Sequence, residues 1–270
     1  MQLKFWGVRG SIPTPIAGHL KYGGNTTCIE VRSTEQTLII DAGSGVRDLG
    51  KCLQADLGYP CIELHFLMTH FHWDHIQGLP YFPPIFSPGT QITFYSTRSP
   101  KELEAILEGQ MKWPYYPVEL IDTPSLKTYK QIAAEPLQIL GVTVHPFPLN
   151  HPQGATGYRI ESEGVVITHA SDLEHGDHKL DQTLREYAQN SDILIYDAQY
   201  TPEEYISHRG WGHSTWLEAT KVARECKVGR LILFHHDPRH DDHQMDAILR
   251  DARGHFENTD IAQEGWEIVL

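Results

Sequence analysis

The sequence is short of cysteine, of basic residues and of long apolar runs, and each shortage removes a class of protein. Four cysteines occur in 270 residues, Cys28, Cys52, Cys61 and Cys226, with no C-x-x-C pair among them. That density is too low for a disulfide scaffold and predicts thiols in a reducing, cytoplasmic setting. No apolar run approaches the roughly 20 residues of a membrane helix; the longest, such as Leu231–Phe234, are strand-sized. Lys and Arg number 22 against 35 Asp and Glu, for a net charge of −13. A non-specific nucleic-acid binder needs the opposite sign, because phosphate neutralisation supplies most of its affinity. The opening Met1-Gln-Leu-Lys-Phe-Trp-Gly carries no signal-peptide pattern and reads as a first strand. A membrane partner is therefore not expected, and a nucleic-acid partner is disfavoured.

What the chain does have is histidine, 17 residues of it. Imidazole is the commonest protein metal ligand and the usual proton carrier near neutral pH, so the placement of these residues matters. The coarse pattern places strands at Gln2–Val8, Thr27–Arg32, Thr37–Ile40, Leu64–Met68, Ile92–Tyr95, Val142–His145, Gly157–Ile160, Val165–His169, Ile193–Tyr196, Arg230–Phe234 and Trp266–Leu270. Helices are predicted from Ser99-Pro-Lys-Glu, at Ser214–Cys226 and at His243–Arg253. The first 75 residues read as strands joined by tight turns. Strands and helices alternate in both halves with no linker between them, which predicts a single α/β domain over residues 1–270.

Directly after the apolar strand Leu64–Met68 comes Thr69-His70-Phe71-His72-Trp73-Asp74-His75. Residues two apart on an extended backbone project to the same side, so His70 and His72 can reach one ion together. The chain then turns, and Asp74 and His75 can face a second. Nitrogen and carboxylate donors without thiolate suit Zn²⁺, Mn²⁺ or Fe²⁺. Further ligand-type residues stand where later strands give way to loops: His151, Asp172, and the doublet His235-His236. Loops at strand ends are where α/β proteins collect functional groups.

The constellation resembles the metallo-β-lactamase superfamily, and within it the ribonuclease Z-like branch of phosphodiesterases. The resemblance covers nearly the whole chain: His70-x-His72-x-Asp74-His75, His151-Pro-Gln-Gly-Ala-Thr-Gly-Tyr, Asp172, Gly212-His-Ser-Thr215, and His235-His-Asp-Pro-Arg-His240. The resemblance implies an αβ/βα sandwich, two central β-sheets flanked by helices. It also implies two divalent metal ions. His70, His72 and His151 would hold one, and Asp74, His75 and His235 the other. Asp172 would bridge them opposite a shared water or hydroxide. His236 is the alternative to His235. Asp41 would buttress the ligand loop without binding metal. His213, paired with Asp197, would protonate the leaving group, and Asp74 would help orient the attacking water. The openings Gly7–Pro13 and Tyr22–Thr26 are similar to relatives associated with cyclic-nucleotide phosphodiesterase activity.

Ribonuclease Z grips tRNA with an arm between the third-segment histidine and the bridging aspartate; here His151 and Asp172 stand too close together for one. The expected substrate is thus a small phosphodiester, first a 3′,5′-cyclic nucleotide. An RNA 3′-processing nuclease and a metal-binding regulatory domain with little catalysis are the alternatives. By the same resemblance the chain would form a homodimer. The aromatic and proline-rich segments at Tyr81–Pro84 and Trp113–Pro117, with Tyr81, Phe82, Trp113, Tyr115 and Tyr116, are candidates for a base-stacking wall. Arg9 and Lys21 are candidates for phosphate contact. His65 reads as core, His169, His175 and His178 as flankers of the bridge, and His240 and His243 as part of an acidic turn.

Overall fold

The computed structural model describes residues 1–33, 36–57, 62–133, 135–139 and 141–270; Cys61 lies outside them. The apolar runs recognised in the sequence become the strands of two seven-stranded sheets. The first sheet is ordered β14 (Glu267–Val269), β1 (Gln2–Gly7), β2 (Cys28–Ser33), β3 (Gln36–Ile40), β4 (Glu63–Leu67), β5 (Gln91–Ser96) and β6 (Leu126–Gln131). The second is ordered β13 (Thr259–Ile261), β12 (Arg230–Phe234), β11 (Ile193–Asp197), β10 (Val165–Ala170), β9 (Ala155–Ser162), β8 (Val142–Leu149) and β7 (Leu137–Ile139).

Each sheet changes character part-way across. β14 to β3 are antiparallel, and β3 to β6 parallel. β7 to β10 are antiparallel, and β10 to β13 parallel. Parallel neighbours need a crossover. The crossovers are α1 (Val46–Leu57) and α3 (Pro100–Gly109) on the first sheet, and α4 (His178–Ala188), α5 (Pro202–His208), α6 (Trp216–Glu225) and α7 (Asp242–His255) on the second. A single turn, α2 (Trp73–Ile76), follows β4.

Period-two alternation explains the layering. In β3, Leu38 and Ile40 face the other sheet while Ile39 packs under the helices. In β12, Ile232 and Phe234 enter the layer between the sheets, and Leu231 and Leu233 meet α6 and α7. Both faces are buried, so these strands read as unbroken apolar runs. The outer layers close with Leu49, Leu53, Leu103 and Leu107 on one side and Leu184, Val222, Met245 and Ile248 on the other. No helix among the described residues is long and apolar enough to cross a membrane.

Helix α1 corrects the reading of the first 75 residues as strands and turns. Val46, Leu49 and Leu53 recur at helical spacing and are buried against the sheet, but the adjacent loop glycines Gly43 and Gly45 mask the pattern. Helix α3 begins as its sequence says: Ser99 Oγ accepts from Glu102 N, the Glu102 carboxylate accepts from Ser99 N, and Pro100 opens the first turn.

Candidate metal centre

The loops that follow the C-terminal ends of β3, β4, β8, β10, β11 and β12 converge on one spot. They deliver Asp41, then His70 to His75, then His151, Asp172, Asp197 and His235. His70, His72 and His151 each offer a ligand atom within 4.8 Å of the others, and so do Asp74, His75 and His235. His70, His75 and Asp172 form a third such group that joins the first two. The Nε2 of His235 lies 3.2 Å from Asp74 Oδ2 and 3.2 Å from Asp172 Oδ1. The Nε2 of His75 lies 3.3 Å from Asp172 Oδ2. His151 Nε2 is 3.1 Å from His72 Nδ1.

Partners on the far nitrogens decide which imidazole edge faces inward. His75 Nδ1 donates to Asp41 Oδ2 at 2.7 Å, His151 Nδ1 to the Gly212 carbonyl at 2.8 Å, and His235 Nδ1 to Gln199 Oε1 at 2.8 Å. Each ring is thereby fixed with Nε2 turned to the centre, the arrangement that holds metal-ligating histidines. Asp41 also accepts from the N–H and hydroxyl of Thr69, both at 2.8 Å, so it braces the whole ligand loop. The buried Nε2 atoms of His70 and His75 have no hydrogen-bond partner among the described residues. Orphaned buried nitrogens of this kind are rare unless something else occupies their lone pairs. Two carboxylates and a set of imidazoles, all buried or nearly so, suit divalent cations.

The electrostatics agree. Burial opposes ionisation of Asp172, yet the surrounding His235, His75 and His70 hold its carboxyl well below the usual range. Burial likewise opposes protonation of His235, but Asp172 and Asp74 push it up to about 9. His70, buried and beside His75, is driven well below its ordinary value. Protons and cations compete for the same place.

Beside this cluster, His213 Nδ1 donates to Asp197 Oδ2 at 2.9 Å. The His213 ring stacks on that of His235 with centroids 4.9 Å apart and meets the His151 ring edge-on at 5.4 Å. Asp197 is fully buried and also accepts from the N–H groups of Asp172, Gln199 and Ser214. Three residues here hold left-handed backbone at the strand ends: Asp41 (φ 61°), Asp172 (φ 64°) and His235 (φ 61°). Close approach demands glycine at two positions. A Cβ on Gly10 would overlap the His235 ring, and one on Gly212 would overlap His151, where φ is also +87°.

The histidine doublet separates cleanly. His235 faces the cluster, whereas His236 is buried elsewhere, its Nε2 donating to the Ala262 carbonyl at 2.9 Å. The aromatic segments form no wall of the site. Phe82 lies in the core, Tyr81 meets Tyr116 edge-on, and Trp113 and Tyr115 are exposed. Arg9 is fully buried, its Nε and Nη1 donating to the carbonyls of Gly23, Asp237 and His240, so it is closed off from a phosphate in solvent. Lys21 pairs with Asp246. His65 is buried beside Tyr95 as expected for core. His169 is buried against Phe234, His175 reaches Ser214 Oγ at 2.9 Å, and His178 opens α4 at the surface. The acidic turn is spent on the protein itself: Asp241 caps α7, and His240 pairs with Glu204 at 2.9 Å.

Several supporting groups escaped the sequence reading. Gln199, Thr69 and the Ser11 N–H, which donates to Asp74 Oδ2 at 2.7 Å, are of types too common to single out. Glu174 is another, and its signal was only its nearness to Asp172.

Residues 37–236 match the family model described as a β-lactamase superfamily domain. The chain belongs to the β-lactamase superfamily. Within it, curated relatives include ribonuclease Z of Bacillus cereus and of Bacillus thuringiensis, each 26% identical, with 98% of this chain and 97% of the relative covered. That alignment runs over 310 positions against the 270 residues here, so the relatives carry segments this chain lacks. Similar solved structures include the metallo-β-lactamase fold protein YhfI of Bacillus subtilis (19% identity, TM-score 0.73, 99% and 98% of the two chains). A diphosphatase of the PhnP family (18%, 0.72, 100% and 97%) and the short form of human tRNase Z (18%, 0.71, 100% and 99%) are also similar. The two seven-stranded sheets with flanking helices are the expected αβ/βα sandwich of this superfamily. As a superfamily member of the ribonuclease Z-like branch, the chain is a metal-dependent hydrolase whose cofactor is a pair of divalent ions.

Proposed function

We propose that the protein is a phosphodiesterase that cleaves a small phosphodiester, first among them a 3′,5′-cyclic nucleotide opened to its 5′-monophosphate. His70, His72 and His151 would hold one ion, Asp74, His75 and His235 the other, with Asp172 between them. Zn²⁺ and Mn²⁺ both suit this nitrogen and carboxylate set, and Fe²⁺ is compatible with it. When bound, such a pair supplies an activated water and neutralises charge on the attacked phosphate. Asp74, which accepts from the Ser11 N–H, would orient that water as well as bind.

The observation that carries the reading is the His213–Asp197 pair set against the ligand cluster. A diester needs a proton for its departing alkoxide. With Nδ1 committed to Asp197, His213 keeps Nε2 for that transfer, and the pairing fixes the orientation of the ring.

The named relatives favour a second reading, an RNA 3′-processing nuclease. Two features weigh against it. Strands β9 and β10, which lie between His151 and Asp172, are joined by a two-residue turn at Glu163-Gly164, both with positive φ, where the resemblance would put an RNA-gripping arm. The net charge of −13 also repels a polyanion. A reducing, cytoplasmic setting suits Cys28 and Cys226, both buried thiols.

The test is direct. Zn²⁺- or Mn²⁺-loaded protein is incubated with cyclic AMP, cyclic GMP, bis(4-nitrophenyl) phosphate and a 3′-extended precursor tRNA. Hydrolysis of the cyclic nucleotides supports the reading. Processing of tRNA alone would transfer the assignment to the nuclease, and inertness toward every diester would end both.

A further inference from the structure

A cavity of about 720 Å³ opens beside the metal centre, with His70 and His72 in its wall. That volume is in the range of ligand pockets and exceeds what a phosphate alone needs. Its flank is apolar, formed by Ile106 of α3, Ile132 after β6, and Phe147 and Leu149 of β8. Its outer end is the loop Ser96-Thr97-Arg98 that leaves β5. In a chain with 35 acidic side chains, no carboxylate lines this cavity among the described residues, and Arg98 is its one arginine or lysine.

The register explains why Arg98 stands there. β4 and β5 run parallel with Leu67 opposite Tyr95, and His70 and Arg98 each come three residues further on. The ligand loop and the arginine loop therefore leave the sheet side by side. Ser96 Oγ accepts from the Arg98 N–H and fixes the turn. Neighbouring Glu102 accepts from Ser99, and its carboxyl is held below the ordinary range first by those bonds and also by the nearby Arg98, but no acid among the described residues stands at ion-pair distance from the Arg98 guanidinium.

Resting on the phosphodiesterase reading, we infer that this cavity seats the base of the substrate and that Arg98 selects guanine over adenine. The apolar flank accepts a planar heterocycle. A guanidinium fork presents two parallel donors, which match the paired acceptors O6 and N7 of guanine; adenine offers a donor at the first of these positions. Ser96, Thr97, Gln153 and Thr156, polar side chains on the wall, are neutral and both donate and accept, so they serve either base and the discrimination falls to the charged fork of Arg98. Arg98 is thus a specificity-determining residue, remote from the bond that breaks.

The experiment pairs kinetics with binding. Metal-loaded wild type is expected to favour cyclic GMP over cyclic AMP by roughly ten-fold or more in kcat/KM, and to bind 5′-GMP more tightly than 5′-AMP by titration calorimetry. R98A should bring both ratios near unity while leaving kcat on base-free methyl 4-nitrophenyl phosphate within about two-fold. R98K keeps the charge but loses the fork, and should behave like R98A. I106W fills the cavity and should weaken both nucleotides. Equal binding of GMP and AMP by wild type overturns the inference. So does an R98K variant that retains the full preference, because that would mark a simple contact to an anion. If no diester is hydrolysed yet GMP selectivity follows Arg98, the phosphodiesterase reading fails while the base site stands.

Discussion

The carboxylate of Glu174 accepts the N–H of Gly212 at 2.9 Å, and Gly212 in turn accepts His151 Nδ1–H on its carbonyl. Glu174 also accepts from Gly210 N at 2.8 Å and from the Tyr205 hydroxyl at 2.9 Å. One acid after β10 thereby anchors the loop that orients His151 and carries His213. Replacing it by alanine should weaken metal binding roughly 10- to 100-fold, the usual cost of losing a partner behind a ligand. Glu174→Gln, which can still accept, should recover part of that. Metal titration monitored by activity and by bound-metal analysis distinguishes the two variants, and an alanine variant with unchanged metal affinity would refute the role.

His213→Ala should lower kcat on cyclic nucleotides by about 10²–10⁴ while leaving two bound metal ions per chain. The loss should be much smaller with bis(4-nitrophenyl) phosphate, whose leaving group departs without a proton. Equal losses on both substrates, or loss of metal, would remove His213 from the acid role.

Gly10→Ala places a methyl group against the His235 ring. Overpacking of this kind costs about 1–3 kcal/mol, and here it also displaces a proposed ligand. One of the two metal equivalents should be lost before the fold is. Bound-metal analysis beside a thermal melt reads both.

Acid should unfold the metal-free protein partly through His169. Burial lowers this imidazole to about 3, from an ordinary 6.5, so it is neutral when folded and takes a proton when unfolded. Its contribution is fully present above pH 6.5 and is lost as pH falls toward 3, at about 1.4 kcal/mol per pH unit across that window. His169 Nδ1 has no hydrogen-bond partner among the described residues. His169→Phe should therefore move the acid midpoint downward, measured by circular dichroism of the chelated protein.

Much of the candidate centre was legible in the sequence because the residues that cluster there fall at strand ends, and strands announce themselves. His70-x-His72-x-Asp74-His75 follows an apolar run, and so do His151, Asp172 and His235. What failed to announce itself depends on distance between chain segments. Arg9 looks like a surface cation until the carbonyls of Gly23, Asp237 and His240 close around it. The aromatics at 81–82 and 113–116 are conspicuous in the sequence, whereas the cavity wall is assembled from the loop after β4, the end of β5, α3, the segment after β6, β8 and the start of β9. Helix α1 was readable in Val46, Leu49 and Leu53, and its neighbouring glycines hid it.

The left-handed backbone at Asp41, Asp172 and His235 sets the requirements of folding against those of chemistry. Side chains at such angles are strained by about 1–3 kcal/mol each, and glycine is not. A glycine at 172 or 235 would relax the turn and erase the donor together. Selecting variants of this protein for heat resistance alone should therefore drift toward sturdier, inert molecules, and the first positions to go would be those that we propose hold the metal ions.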